Sequence, residues 1–433
     1  MATTNNDWQT YKLGELCDIK TGKKDVNAED VNGAYPFFTC AQDVHKINTY
    51  TFDTEAVLVA GNGFFNVKYY KGKFDVYQRT YVLHNFSKNV DGKFIYHFVN
   101  SKLDEITQNN RGSTIRYIRL GDLTEQEVLL PSIDEQRRIT AKLEELLQAV
   151  KKSSISIISA KQRISKFRQA VLSAAVTGKL TEGWREKNLD RQSAQEIISR
   201  IYERRLKQAR TAAIKKKITY LYSVREDNDS ENLPEGWKYT SLNKLCESFE
   251  YGSSKKSCIQ GRVAVLRMGN LQNGEIDWSN LVFTSDKDEI AKYQLKPNTV
   301  LFNRTNSPEL VGKTSIYRGE RPAIFAGYLI RINNYPELDS EYLNIYLNSY
   351  LAREFCRQVK TDGVSQSNIN AQKLGGFEMP LCSIEEQKEI VKRVKSLLTV
   401  ADEIEDKVNK AAARVEKLTQ SILGKAFKGE LIN

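Results

Sequence analysis

Ser132-Ile133-Asp134-Glu135-Gln136 recurs as Ser383-Ile384-Glu385-Glu386-Gln387, 251 residues further along the chain. The match continues without gaps. Ile139 pairs with Ile390, Leu146-Leu147 with Leu397-Leu398, Lys166 with Lys417 and Gln169 with Gln420. Leu172, Ala175, Gly178 and Leu180 then find Leu423, Ala426, Gly429 and Leu431. A repeat of this period sets the architecture before any local propensity does. Both copies open with S-x-x-E, a capping box in which the serine accepts from the N3 amide and the glutamate reaches back to the cap amide. Both place acids in the first helical turn, where the dipole favours them. Both close on a glycine suited to a helix C-terminus.

Between these ends the apolar spacing alternates four and three. The first seam runs Ile139, Leu143, Leu146, Val150, Ser153, Ile157, Ala160, Ile164, Phe167, Val171. The second runs Ile390, Val394, Leu397, Ala401, Ile404, Val408, Ala411, Val415, Leu418, Ile422. The two share one phase, and Ser153 is the single polar seam position. This predicts two long helices able to pair as a coiled coil, each seam spanning roughly 50 Å. Taken alone, such a seam says only that helices pack.

The segments ahead of each helix also correspond. WQTYKLGELC at 8–17 resembles WKYTSLNKLC at 237–246, and each is followed by a glycine and a lysine pair: Gly22, Lys23, Lys24, then Gly252, Lys255, Lys256. The order is therefore variable domain, helix, variable domain, helix. The variable parts read as mixed β with some helix. Residues 69–83 carry Tyr/Phe/Val-rich runs between glycines, 55–59 and 298–302 read as short strands, and 343–359 has helical periodicity. Residues 193–217 read as helical and strongly basic, and 223–233 as a polar linker. The expected divisions are 1–130, 131–180, 181–232, 233–379 and 380–433.

The 433 residues carry 65 Lys/Arg against 54 Asp/Glu, a net charge of +11. That balance favours an acidic partner, nucleic acid first. The excess is local: residues 131–232 hold 22 basic against 13 acidic side chains, whereas 1–130 hold 15 against 16. If the larger domains bind DNA, they do so through patches. The basic stretch in the middle reads as a solvated helix face before it reads as a DNA contact.

Six cysteines form no C-x-x-C pair, which argues for reduced core thiols in a cytoplasmic protein rather than a zinc site or disulfide frame. Three histidines lack neighbouring ligands. Gly312-Lys313-Thr314 has the ending of a phosphate loop, but Ser307 stands where that loop needs glycine and Pro308 follows it. No nucleophile elbow is present. The N-terminal residues are polar, and no apolar run approaches the roughly 20 residues of a membrane span.

With these features in place, the chain resembles the specificity subunits of type I restriction–modification systems over essentially its whole length. The resemblance rests on several stretches. Leu233-Pro234-Glu235-Gly236-Trp237 looks like the lead-in to a recognition domain. Asp134-Glu135-Gln136-Arg137-Arg138-Ile139 and Glu385-Glu386-Gln387-Lys388-Glu389-Ile390 look like the helix starts. Ala175-Val176-Thr177-Gly178-Lys179-Leu180 and Ala426-Phe427-Lys428-Gly429-Glu430-Leu431 look like the helix ends. Residues 302–313 resemble a segment common in one class of recognition domain. The resemblance implies an α+β protein: two mixed α/β target-recognition domains separated by two long antiparallel coiled-coil helices, a pseudo-two-fold tandem repeat. Each domain would read one half of a split target in double-stranded DNA. The helices would dock two methyltransferase subunits, with restriction/translocase subunits joining them. S-adenosylmethionine, ATP and magnesium would sit on those partners, and this chain would be no enzyme.

Lys and Arg beside glycine suit phosphates, while Arg, Asn and Gln suit base edges. The candidate contacts are Lys23, Lys24, Lys68, Arg79, Arg111, Ser113 and Thr114 in the first domain. In the second they are Lys255, Lys256, Arg304, Asn306, Lys313, Ser365, Gln366 and Asn368. Other readings are an orphan specificity subunit serving methylation only, a coiled-coil scaffold that binds no DNA, and a nuclease or methyltransferase in its own right.

Overall fold

The computed structural model describes residues 8–108, 116–228, 232–363 and 366–432. Two compact units emerge: Met1–Ala160 with Val408–Asn433, and Lys161–Lys407. Each holds one variable domain and a segment of each long helix.

In the first unit a six-stranded sheet is ordered Asp18–Thr21, Thr80–His84, Phe52–Ala60, Val67–Val76, Tyr35–Phe38, His45–Ile47. All neighbours are antiparallel except Tyr35–Phe38, which runs parallel to Val67–Val76. Phe52–Ala60 ends in five consecutive buried residues because both sheet faces are covered. Period-two alternation divides them. Val57 and Val59 join Leu83 and the helix Gly92–Gln108 through Phe94, Ile95, Phe98 and Val99. Ala56 and Leu58 face the other way, onto Phe38, Phe74 and Val82. A short ribbon, Gln9–Lys12 against Glu127–Leu130, leads into the first long helix, Ile133–Val176. Ile139 and Leu143 from its start share one core with Ile422 and Ala426 from the end of the second long helix, Ile384–Ala426. Phe427, just past that end, meets Phe94 and Phe98 edge-on at 5.4 and 5.6 Å between ring centroids.

The second unit repeats the plan. Its sheet runs Cys246–Tyr251, Leu329–Asn334, Thr299–Asn303, Thr314–Tyr317, Gly274–Ile276, Leu271–Gln272, and again the fifth strand is parallel to the fourth. The helical periodicity of 343–359 resolves into two helices, Ser340–Leu347 and Tyr350–Val359. They part at Asn348, whose amide turns to the carbonyl of Thr314 (3.2 Å). Here the end of the first long helix (Val171, Ala175, Val176) packs with the start of the second (Ile390, Val394). Arg168 reaches Asp402 and Glu405, each at 2.7 Å. Within each unit, then, the start of one helix lies along the end of the other.

The basic stretch is a hairpin of two helices, Ala194–Gln208 and Ala212–Ser223, broken where Thr211 caps the second one. Ile197, Ile198 and Ile201 sink into the core of the second unit. Arg204 binds the Glu337 carboxylate through both terminal nitrogens, and Arg205 donates to the carbonyl of Asn243 at 2.7 Å. The hairpin is thereby built onto the variable domain of the second unit. No described helix is long and apolar enough to cross a membrane.

Candidate nucleic-acid interface

The repeated EQ pair fixes how each domain joins its helix. Gln136 is fully buried. Its side-chain oxygen accepts from the amide of Asp91 (2.8 Å), and its nitrogen donates to the carbonyls of Asn89 and Pro131 (2.9 and 2.8 Å). Gln387 does the same to Asp339, Glu337 and Cys382. In each domain the aspartate so held caps the helix that covers the sheet, through Phe94 or through Glu341 and Tyr342. The two glutamines are therefore equivalent staples between long helix and variable domain.

The preceding glutamate departs from the expected capping box in the second copy. Ser383 does accept from the Glu386 amide (3.2 Å), as Ser132 accepts from that of Glu135 (3.3 Å). The Glu386 carboxylate, however, does not turn back to the cap. It is fully buried and accepts from Thr181 Oγ1 (2.7 Å), Arg185 Nη1 (2.7 Å) and Trp237 Nε1 (2.9 Å). A desolvated carboxylate needs such partners, and a charged guanidinium outcompetes a backbone amide.

At the open end of each sheet the two domains build one backbone frame. Gly22 lies so close to the strand opposite that a Cβ there would stand 2.1 Å from the Val76 carbonyl oxygen; one on Gly252 would stand 2.3 Å from that of Phe325. Beyond these glycines come parallel bridges, Lys24 to Tyr77 and Ser253 to Ala326. The Gly61 amide donates to the Arg79 carbonyl (2.8 Å), as the Arg304 amide donates to that of Tyr328 (3.0 Å). The Gly61 carbonyl accepts from Ile118 (2.8 Å), as the Arg304 carbonyl accepts from Ile369 (2.9 Å).

This frame brings several candidate residues together. In the first domain Lys23 and Arg79 are exposed and Lys24 is half-buried, all on loops of that end. Tyr117, bridged to Asn62, and Arg119, which donates to the Tyr117 hydroxyl (3.2 Å), join them. Neither was marked by its sequence neighbourhood. Lys68 is placed differently: its ammonium donates to the Ala41 carbonyl (2.7 Å) and to Asn66, and burial lowers its pKa. Arg111, Ser113 and Thr114 lie outside the described residues.

In the second domain Thr305–Asn306 pairs with Ser367–Asn368, so Asn306 and Asn368 share a small sheet; Arg304 immediately precedes it and Gln366 is exposed. The Arg304 guanidinium lies over the ring of Tyr251, 4.6 Å from its centroid. Lys256 is exposed, whereas Lys255 is held by Asp286 (2.7 Å) and Glu289 (3.5 Å). Lys313 donates to Gln272 (3.1 Å). Ser365 lies outside the described residues. Guanidinium, amide and ammonium groups on rigid loops can bind phosphates and base edges; they offer no activated nucleophile. The Cys17 and Cys356 thiols are buried, which pushes each pKa up to about 12.

Residues 5–159 and 234–414 both match the family model described as the type I restriction modification DNA specificity domain. The chain is 34% identical to the type I restriction enzyme EcoDI specificity subunit of Escherichia coli, over 98% of this chain and 89% of that protein. It is 30% identical to the EcoBI specificity subunit of Escherichia coli, over 78% of this chain and 65% of that one. Its fold matches a chain from a solved structure concerning complex assembly and conformational transition of the type I R-M system, with TM-score 0.69, 16% identity, and 99% and 100% of the two chains covered. The HsdS subunit from Thermoanaerobacter tengcongensis matches with TM-score 0.52 and 16% identity over 99% and 98%.

Proposed function

Because the chain belongs to the type I restriction modification DNA specificity family, we propose that it chooses the DNA sequence on which a methyltransferase and a nuclease act, and carries neither activity itself. The observation that bears most weight is the duplicated frame. Two domains share a backbone at their open ends and fill it with different side chains, which is what reading two different half-sites requires. Each domain contacts one half of a split, asymmetric target, and the paired helices set the gap between the halves.

The helices also carry the docking surface for two methyltransferase subunits, through which the restriction subunits join. Apolar side chains beyond what packing uses support this. In the first unit Leu418 is half exposed in a trough it lines with Leu146, Val150, Val415 and Ile422, and Ile155 and Ile158 on the first long helix are more than half exposed. In the second unit Phe167, Val400 and Ile404 are exposed. Contiguous exposed apolar surface marks an interaction site. S-adenosylmethionine, ATP and magnesium belong to the partners in this scheme.

The test is co-expression with a type I methyltransferase subunit from the same genome, in a host lacking DNA methylation, with modified bases mapped by long-read sequencing. A split motif that needs both proteins is the expected result. A stable complex that modifies no motif would leave a scaffold that binds no DNA.

A further inference from the structure

The matched frames differ most informatively at one position. Gly61 and Arg304 occupy the same place, since each donates its amide to the neighbouring turn and accepts from the segment before the next helix. The first domain cannot carry a side chain there: a Cβ on Gly61 would lie 2.5 Å from the Arg79 carbonyl oxygen. Its arginine is instead Arg79, across that backbone pair. The second domain reverses the arrangement, with arginine at 304 and an exposed tyrosine, Tyr328, across from it.

Arg304 is held without being neutralised. Its guanidinium stacks on Tyr251, whose hydroxyl accepts from the Ala371 amide at 3.0 Å. Nη2 stands 3.5 Å from Asn368 Oδ1, and Asn368 is itself fixed by donating to Thr305 Oγ1 at 2.8 Å. Nε is buried without a hydrogen-bond partner. No carboxylate pairs with Arg304 among the described residues, although the same domain pairs Arg318 with Glu275 and Glu341, and Arg331 with Glu250. Attracting phosphate needs only a point charge, which a lysine supplies, whereas a guanidinium held over a ring presents its donors in one plane. A planar fork of fixed orientation matches the O6 and N7 acceptors on the major-groove edge of guanine.

We propose that Arg304 reads a guanine in the half-site of the second recognition domain, with Tyr251 and Asn368 as its positioning residues. The inference rests on the specificity reading above. The experiment maps methylation by the complex of the full chain with its methyltransferase, comparing wild type with Arg304→Gln, Arg304→Lys, Tyr251→Ala and Lys256→Gln. Arg304→Gln is expected to cut modification of the wild-type motif about ten- to hundredfold, with residual modification relaxed at one G·C pair in one half only. Arg304→Lys keeps the charge and is expected to relax the same position. Tyr251→Ala should do so more weakly. Lys256→Gln, at an exposed loop cation, should lower modification evenly without changing the motif. An unchanged motif in both Arg304 variants, or uniform weakening of the Lys256 kind, would overturn the proposal. A wild-type complex with no split motif would instead remove the specificity reading itself, so the two failures are distinct.

Discussion

Glu386 was legible as a capping residue and works as something else. Its carboxylate is withdrawn from water and shared among Thr181, Arg185 and Trp237, so it ties the end of the first long helix and the lead-in tryptophan to the start of the second. Removing one partner of a buried ion pair leaves the other charge uncompensated, at a cost of about 3–5 kcal/mol. Glu386→Ala should lower stability by about that much in urea unfolding followed by tryptophan fluorescence, and Glu386→Gln by less, because the amide oxygen still accepts. His97 gives a pH-dependent counterpart in the first unit. Burial lowers its pKa below the ordinary 6.5, against an opposing pull from Glu144, and its Nε2 is buried without a hydrogen bond. The unfolded chain therefore takes up the proton first as pH falls. The stability tied to neutral His97 is present above pH 6.5 and is lost below it, toward the depressed folded value. Urea midpoints measured from pH 7.5 to 5.5 should fall more steeply for wild type than for His97→Asn.

At the scale of elements, the long helices were the most legible feature, because heptad spacing and a terminal glycine are both written locally. Both glycines end the helix with positive φ, 74° at Gly178 and 76° at Gly429. Their surroundings differ. A Cβ on Gly178 would press to 2.5 Å from Pro234 Cγ, whereas one on Gly429 would meet Trp8 Cζ2 at 3.2 Å. Both alanine variants should lose about 1 kcal/mol from backbone strain, with Gly178→Ala losing more, as thermal unfolding of the two can show. The heptad pattern overstates burial: Ile164, Ala401 and Ile390 are covered, but Ile404, Phe167 and Leu418 are exposed. A pair of helices leaves the flank of its seam open. The strands read at 55–59 and 298–302 were legible from their composition and lie within Phe52–Ala60 and, but for Asn298, within Thr299–Asn303. The break at Asn348 and the surroundings of the candidate contact residues were not, because they depend on partners distant in sequence. Lys23, Arg79, Arg304 and Asn368 could be nominated from residue type, but nothing local announced that Lys68 and Lys255 would be spent on internal bonds, or that Tyr251 would underlie Arg304.

For the whole molecule, the repeat makes the strongest demand. Two domains with one backbone plan and different open-end side chains should be separable readers, each responsible for its own half of the target. The most direct measurement is to replace residues 233–379 with the corresponding domain of a relative whose split target is known. The hybrid is then co-expressed with the methyltransferase, and its methylated motif is compared with that of the wild-type chain. The account predicts a hybrid motif: one half unchanged, the other half the donor's, and the spacing kept because both long helices are kept. A motif altered in both halves, or one unchanged despite the exchange, would contradict the claim that each repeat reads its own half-site.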